Sequence, residues 1–133
     1  SEYGFASSAE KRVIGGYSLG GLFSLYAAVN TDFFGTVLSC SSSLWYPGFL
    51  DYLKEHPFKA VHPKLYMSVG DQEGTTATNL TADQTLNTLA LKEWIEPKFQ
   101  AGDFQFTLEE GNHGNDNPGR AWRALEWVEE NSK

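Results

Sequence analysis

Arg12-Val13-Ile14-Gly15-Gly16-Tyr17-Ser18-Leu19-Gly20-Gly21-Leu22 joins a short apolar run to a glycine-rich turn and then to a helical pattern. Val13 and Ile14 suit a strand. From Leu22 the period changes: Leu22, Tyr26 and Val29 fall at i, i+4 and i+7, with Leu25 and Ala28 alongside, so a helix is expected to about Asn30. The turn between them contains G-x-S-x-G, with Gly16 and Gly20 two residues either side of Ser18. A serine at the tip of so tight a strand-to-helix turn sits in a strained backbone, which lifts its hydroxyl above the sheet. Side chains two residues before and after it are expected to collide, so both positions should be small. The turn also leaves the serine at a helix N-terminus, where the Leu19 amide points to where an oxyanion would form. The bland alternative is a glycine-rich turn that cradles a phosphate. Against it, the P-loop pattern is absent and no lysine stands in the loop.

The same alternation continues outward from this turn. Strands are expected at 36–40, 64–69 and 104–108, each followed by a loop and a helical pattern. Phe49, Tyr52 and Leu53 space one or two amphipathic turns, and His56-Pro57 and His62-Pro63 hold the next segment extended. Thr81 and Gln84 match a capping box ahead of a helix carrying Leu86, Leu89, Ala90, Trp94 and Ile95. Asn117-Pro118 reads as N-cap and N1 of a last helix with Ala121, Leu125 and Val128 on one face. Trp94, Trp122 and Trp127 read as helix-packing residues. The expectation is an α/β architecture, 1–133 as one domain, with a mainly parallel sheet of about four strands and flanking helices. Such sheets place their sites beyond the carboxyl ends of the strands, so the loops to inspect are 15–21, 41–47, 70–78 and 109–117.

Composition narrows the partners. The chain has 133 residues, 17 acidic against 10 basic, for a formal net charge of −7. That balance disfavours a nucleic-acid partner. No apolar run approaches a membrane span of about 18 residues, and residues 1–11 show no signal-like apolar block. Compartment stays open, with the cytoplasm favoured. Cys40 is the lone cysteine, which rules out an internal disulfide or a CxxC site. Asn79-Leu80-Thr81 is a formal glycosylation sequon, taken as chance because Thr81 is already assigned as a cap.

A serine nucleophile needs a base. His56 and His62 precede prolines in a crossover and read as solvated connectors, whereas His113 follows the last strand on the rim that carries Ser18. Asp71 and Glu73 end the third strand on that rim, and either could orient the imidazole. Spacing does not choose between them. The order Ser, acid, His is that of α/β-hydrolases. Trp45, Tyr46 and Phe49 could line an acyl or aryl pocket, or pack beneath a loop. Arg120 and Arg123 read as a solvated helix face. Glu109, Glu110, His113 and Asp116 lack a metal-ligand spacing, so no metal or other cofactor is expected.

These stretches together resemble the putative esterase family of α/β-hydrolases, which includes enterochelin esterases, S-formylglutathione hydrolase and feruloyl and acetyl xylan esterases. Residues 12–22 resemble that family's strand and elbow. Ser39-Cys40-Ser41-Ser42-Ser43-Leu44-Trp45 resembles its serine-rich segment, Val69-Gly70-Asp71-Gln72-Glu73 its acid loop and Glu110-Gly111-Asn112-His113 its histidine loop. The enterochelin-esterase-like branch often carries a glutamate three residues after the glycine. That implies Glu73 as the acid, with Asp71 in reserve. Some members of the branch work largely with a Ser–His pair.

The resemblance implies hydrolysis of a small-molecule carboxylic ester of siderophore, feruloyl or acetyl type through an acyl-enzyme, with Ser18 as nucleophile, His113 as base and the Leu19 amide in the oxyanion hole. The family's fold has further strands before the elbow, and a loop among them supplies the other oxyanion donor. This chain reaches its first strand at Arg12, so it is expected to correspond to the C-terminal part of an α/β-hydrolase fold. Two outcomes then compete with an active enzyme: a catalytically incomplete folding unit active only in a longer protein, and an inactive hydrolase-like binding module. Loss of one oxyanion donor typically costs about 10²–10³ in rate. An unpaired elbow strand would also invite self-association along the sheet edge.

Overall fold

The computed structural model describes residues 8–74 and 83–132. Four strands, β1 (Val13–Tyr17), β2 (Thr36–Cys40), β3 (Lys64–Gly70) and β4 (Phe104–Glu109), form one parallel sheet in the order β1-β2-β3-β4. Helices α1 (Leu19–Asn30), α2 (Phe49–Glu55) and α3 (Gln84–Ile95) follow the first three strands, and α4 (Asn117–Glu130) follows the last. Because every strand runs the same way, all four loops that could carry chemistry open at one rim.

The two central strands are buried along their length and the outer two only in part. One face of the sheet, with Val37, Leu65 and Met67, packs against Leu25, Leu53 and Leu91 from α1, α2 and α3. Full burial of such side chains contributes about 1.5–3 kcal/mol each. The other face carries a smaller cluster, in which Leu38, Cys40 and Tyr66 meet Ala124 and Trp127 of α4. Among the described residues, no helix is long and apolar enough to cross a membrane.

Helix faces depart from the simple apolar pattern. On α3 the buried stripe is Thr85, Thr88, Leu91 and Ile95, while Leu86 and Ala90 face outward. Thr85 Oγ1 donates to the Gly70 carbonyl and Thr88 Oγ1 to the Gln84 carbonyl, so both hydroxyls are satisfied and pack as core. On α4 the buried residues are Arg120, Ala124 and Trp127, the expected stripe shifted by one residue, and it leaves Leu125 and Trp122 exposed. Asp116, not Asn117, is the N-cap of α4. α3 begins at Gln84, with Asp83 in left-handed backbone at its N-cap. The expected capping residue Thr81 and the sequon at 79–81 lie outside the described residues.

Candidate active site

Ser18 sits between the end of β1 and the start of α1 with φ 62° and ψ −120°, a region disfavoured for any residue with a Cβ. Three backbone hydrogen bonds hold it there. Its N–H donates to the Cys40 carbonyl, and its own carbonyl accepts from Leu22 and Ser43. Of the glycines around it, Gly16 is obligatory, because a Cβ there would run into the Gly20 carbonyl group. A Cβ on Gly21 would strike the Ser42 hydroxyl, whereas one on Gly20 would meet nothing within 4 Å. The close approach two residues after the serine is therefore made by Gly20 backbone against Gly16. Gly21 is where a side chain has no room. Leu19 is the first residue of α1, so its amide lacks an intrahelical acceptor.

His113 reaches this serine from the loop after β4. Its Nε2 lies 3.0 Å from Ser18 Oγ, and its Nδ1 lies 2.5 Å from Glu73 Oε1. Tyr17 stacks on the imidazole with ring centroids 4.7 Å apart and donates its hydroxyl to the His113 carbonyl. Asp71 does not approach His113; its Oδ1 accepts from the Gly111 N–H at 2.9 Å and so shapes the histidine loop. His56 is exposed and stacks on Tyr52 at the end of α2.

Glu73 is 1% exposed and its carboxylate is saturated with donors. Besides His113, Oε1 accepts from Gln84 Nε2 at 2.6 Å. Oε2 accepts from Ser41 Oγ at 2.6 Å, from the Gly70 N–H at 2.5 Å and from Arg120 Nη1 at 3.2 Å. Burial alone would raise this carboxyl's pKa, but the hydrogen bonds from His113, Ser41 and Gly70 outweigh it and hold the value below the ordinary one. The Gln84 amide also lies 3.0 Å from His113 Nδ1. Because its nitrogen has two acceptors, Glu73 Oε1 and the Ser41 carbonyl, its protons are directed there.

Several of these partners carry no signal in the sequence. Ser41, Ser42 and Ser43, in the loop expected after β2, are buried. Ser41 binds Glu73, Ser42 Oγ pairs with Ser39 Oγ at 2.6 Å, and Ser43 Oγ lies 3.4 Å from Ser18 Oγ. Arg120, expected on a solvated face, is 2% exposed and belongs to the acid's surroundings. Arg123 does lie nearer the surface, pairing with Glu109 and Asp116.

A cavity of ≈ 220 Å³ opens over these groups, lined by Ser18, Trp45, Glu73, Gly74, Gln84 and His113. Trp45 is therefore on the pocket wall. Tyr46 is not; it lines a larger apolar groove of ≈ 550 Å³ that begins at Leu19 and runs past Phe23, Tyr26 and Phe49. Phe49 itself is largely core. Among the described residues, no group of three or more His, Cys, Asp or Glu side chains is placed to hold a metal ion.

Known proteins share this arrangement of strands and helices. An IroE-like serine hydrolase from Shewanella oneidensis superposes with a TM-score of 0.69 at 21% identity, covering 85% of this chain and 38% of its own. The siderophore hydrolase EstB from Aspergillus nidulans gives 0.67 at 23% identity, covering 86% and 47%. The enterobactin esterase FES from Shigella flexneri, solved in the presence of enterobactin, gives 0.68 at 25% identity, covering 93% and 30%. The chain thus spans less than half the length of each of these three. No curated protein sequence matches it. The family profile described as Putative esterase matches residues 2–124. A parallel four-stranded sheet of this topology and a profile match over nearly the whole sequence lead to one assignment: the chain belongs to the putative esterase family.

Proposed function

We propose that this chain carries the Ser–His–acid machinery of a serine hydrolase acting on carboxylic esters. Ser18 Oγ attacks the ester carbonyl while His113 Nε2 takes its proton, and the Leu19 amide donates to the resulting oxyanion. As the tetrahedral species collapses, His113 returns that proton to the departing alcohol and the acyl group stays on Ser18. Water then attacks the acyl-enzyme, gives a proton to His113, and the acid leaves as Ser18 is reprotonated. Glu73 keeps Nδ1 protonated and stabilises the imidazolium. Trp45 borders the reacting carbonyl, and Tyr46 with the groove beyond Leu19 accepts an apolar part of the substrate, which suits siderophore or feruloyl esters better than acetyl esters.

The observation that carries this proposal is the paired contact of His113, 3.0 Å to Ser18 on one nitrogen and 2.5 Å to Glu73 on the other. Asp71 is set aside as the acid because its carboxylate is engaged by Gly111. A second proposal rests on coverage: the chain spans 30% to 47% of the three proteins described above. It is a folding unit whose oxyanion hole is completed only within a longer protein.

Intact-mass labelling with a fluorophosphonate separates the two. Mass gain in the wild type that is lost in Ser18→Ala and His113→Ala supports an assembled pair. A cooperatively folding sample that takes no label refutes activity of the chain alone and supports the incomplete unit.

A further inference from the structure

Arg120 is a buried cation that the chemistry above does not use. It enters from the first turn of α4, and its guanidinium reaches three loops of the rim. Nη1 donates to Glu73 Oε2 and to Ser41 Oγ, both at 3.2 Å. Nη2 donates to the carbonyls of Glu110 at 3.1 Å and Asn112 at 2.9 Å, the residues that flank Gly111 just ahead of His113. The remaining N–H, on Nε, is buried without an acceptor. Packing alone does not call for such a group, since an apolar side chain of similar volume is usually at least as stable in a core.

We propose that Arg120 is a positioning residue of this site, a fixed counter-charge on Glu73 that also clamps the His113 loop to it. The proposal rests on the Ser18–His113–Glu73 chemistry given above. Two consequences follow from the two edges of the guanidinium. The Nη2 edge sets the height of His113 over Ser18 by holding two carbonyls of its loop. The Nη1 edge puts a permanent positive charge against the carboxylate that His113 shares. That charge favours the carboxylate form of Glu73, the form that accepts from His113 Nδ1 and fixes the imidazole over Ser18.

Among the described residues, the other groups around the imidazole do not supply this charge. Tyr17 from β1 stacks on the ring, and Gln84 from α3 is neutral. Asp71 from the loop after β3 is engaged by the Gly111 amide, and Glu109 of β4 and Asp116 at the start of α4 are paired with Arg123.

The test compares wild type, Arg120→Gln and Arg120→Lys in the intact polypeptide that carries this chain. Fluorophosphonate labelling across pH gives the acid limb and the plateau. Arg120→Gln is expected to move the acid limb to higher pH. Its plateau should fall by about tenfold to a hundredfold as the loop loses its register. Arg120→Lys restores the charge without the fork, so the limb returns to its wild-type position while the plateau stays low.

An unchanged acid limb in Arg120→Gln overturns the proposal. If that variant does not fold, Arg120→Lys decides alone: a wild-type limb with a reduced plateau supports the proposal, and a shifted limb or an undiminished plateau overturns it. A wild type that takes no label overturns the hydrolase reading and this proposal with it, whereas a labelled wild type with an unchanged limb in Arg120→Gln overturns this proposal alone.

Discussion

Replacing Glu73 by glutamine tests the energetics of the buried acid directly. Glu73 and Arg120 are 1% and 2% exposed, so the substitution leaves a guanidinium in the interior without its anion. Breaking a buried pair by removing one member costs about 3–5 kcal/mol. At about 3–5 °C per kcal/mol for a chain of this size, the melting temperature at pH 7 should fall by roughly 10–25 °C. The pH dependence has a definite sign. The folded carboxyl of Glu73 lies below its ordinary value, so its contribution is present above the unfolded pKa of about 4.3 and disappears as pH falls through the folded one. Glutamine has no such contribution, so the gap between wild type and variant should narrow below about pH 4. Circular-dichroism melts at pH 7 and in mild acid measure both effects, and Glu73→Gln with Arg120→Met should recover most of the loss at pH 7. A single variant melting within about 3 °C of wild type at pH 7, against the expected drop, refutes the reasoning. So does a gap that stays constant with pH.

Two further outcomes follow from the turn and the acid loop. Gly16→Ala and Gly21→Ala should each lower the melting temperature by several degrees and abolish Ser18 labelling, because a Cβ overlaps Gly20 backbone in one and Ser42 in the other. Gly20→Ala, whose Cβ meets nothing, should melt and label close to wild type, and equal damage at all three positions contradicts the packing described. Asp71→Asn keeps an oxygen for the Gly111 amide and should label within about threefold of wild type, a loss of well under 1 kcal/mol. Glu73→Ala should label at least tenfold more slowly, and the reverse ranking in labelling rates would reassign the acid.

The fold was legible because its signals are local. β2 falls at 36–40 as expected, and strand, turn and helix around Ser18 follow from a period change and a cluster of glycines. Ser18, His113 and the acid loop could be placed on one rim because parallel strands share a direction. The immediate partners of Glu73 were not legible, and the reason is physical. Ser41 in a run of serines, Gln84 at a helix start and Arg120 on a helix with several charges all have the composition of solvated surface. Only the burial of Glu73 turns them inward, and burial is a property of the assembled sheet. The one-residue shift of the α4 face has the same origin, since Arg120 must point at Glu73 and Ala124 and Trp127 then follow it inward. Tyr17 is the unspecified residue of the G-x-S motif, so no motif could announce its stacking on His113.

The backbone at Ser18 has a bearing on how such a chain drifts over generations. Its positive-φ conformation is fixed by backbone hydrogen bonds with Cys40 of β2, Leu22 of α1 and Ser43, not by its own side chain, so loss of the hydroxyl would not let the turn relax. A glycine there would fit the same geometry without a Cβ to be crowded, and a non-glycine residue in such a region carries about 1–3 kcal/mol of strain. Ser18 is thus a position where conformational stability alone would favour the inert residue. A lineage released from any need for the hydroxyl would have a downhill route to a sturdier protein with the same sheet.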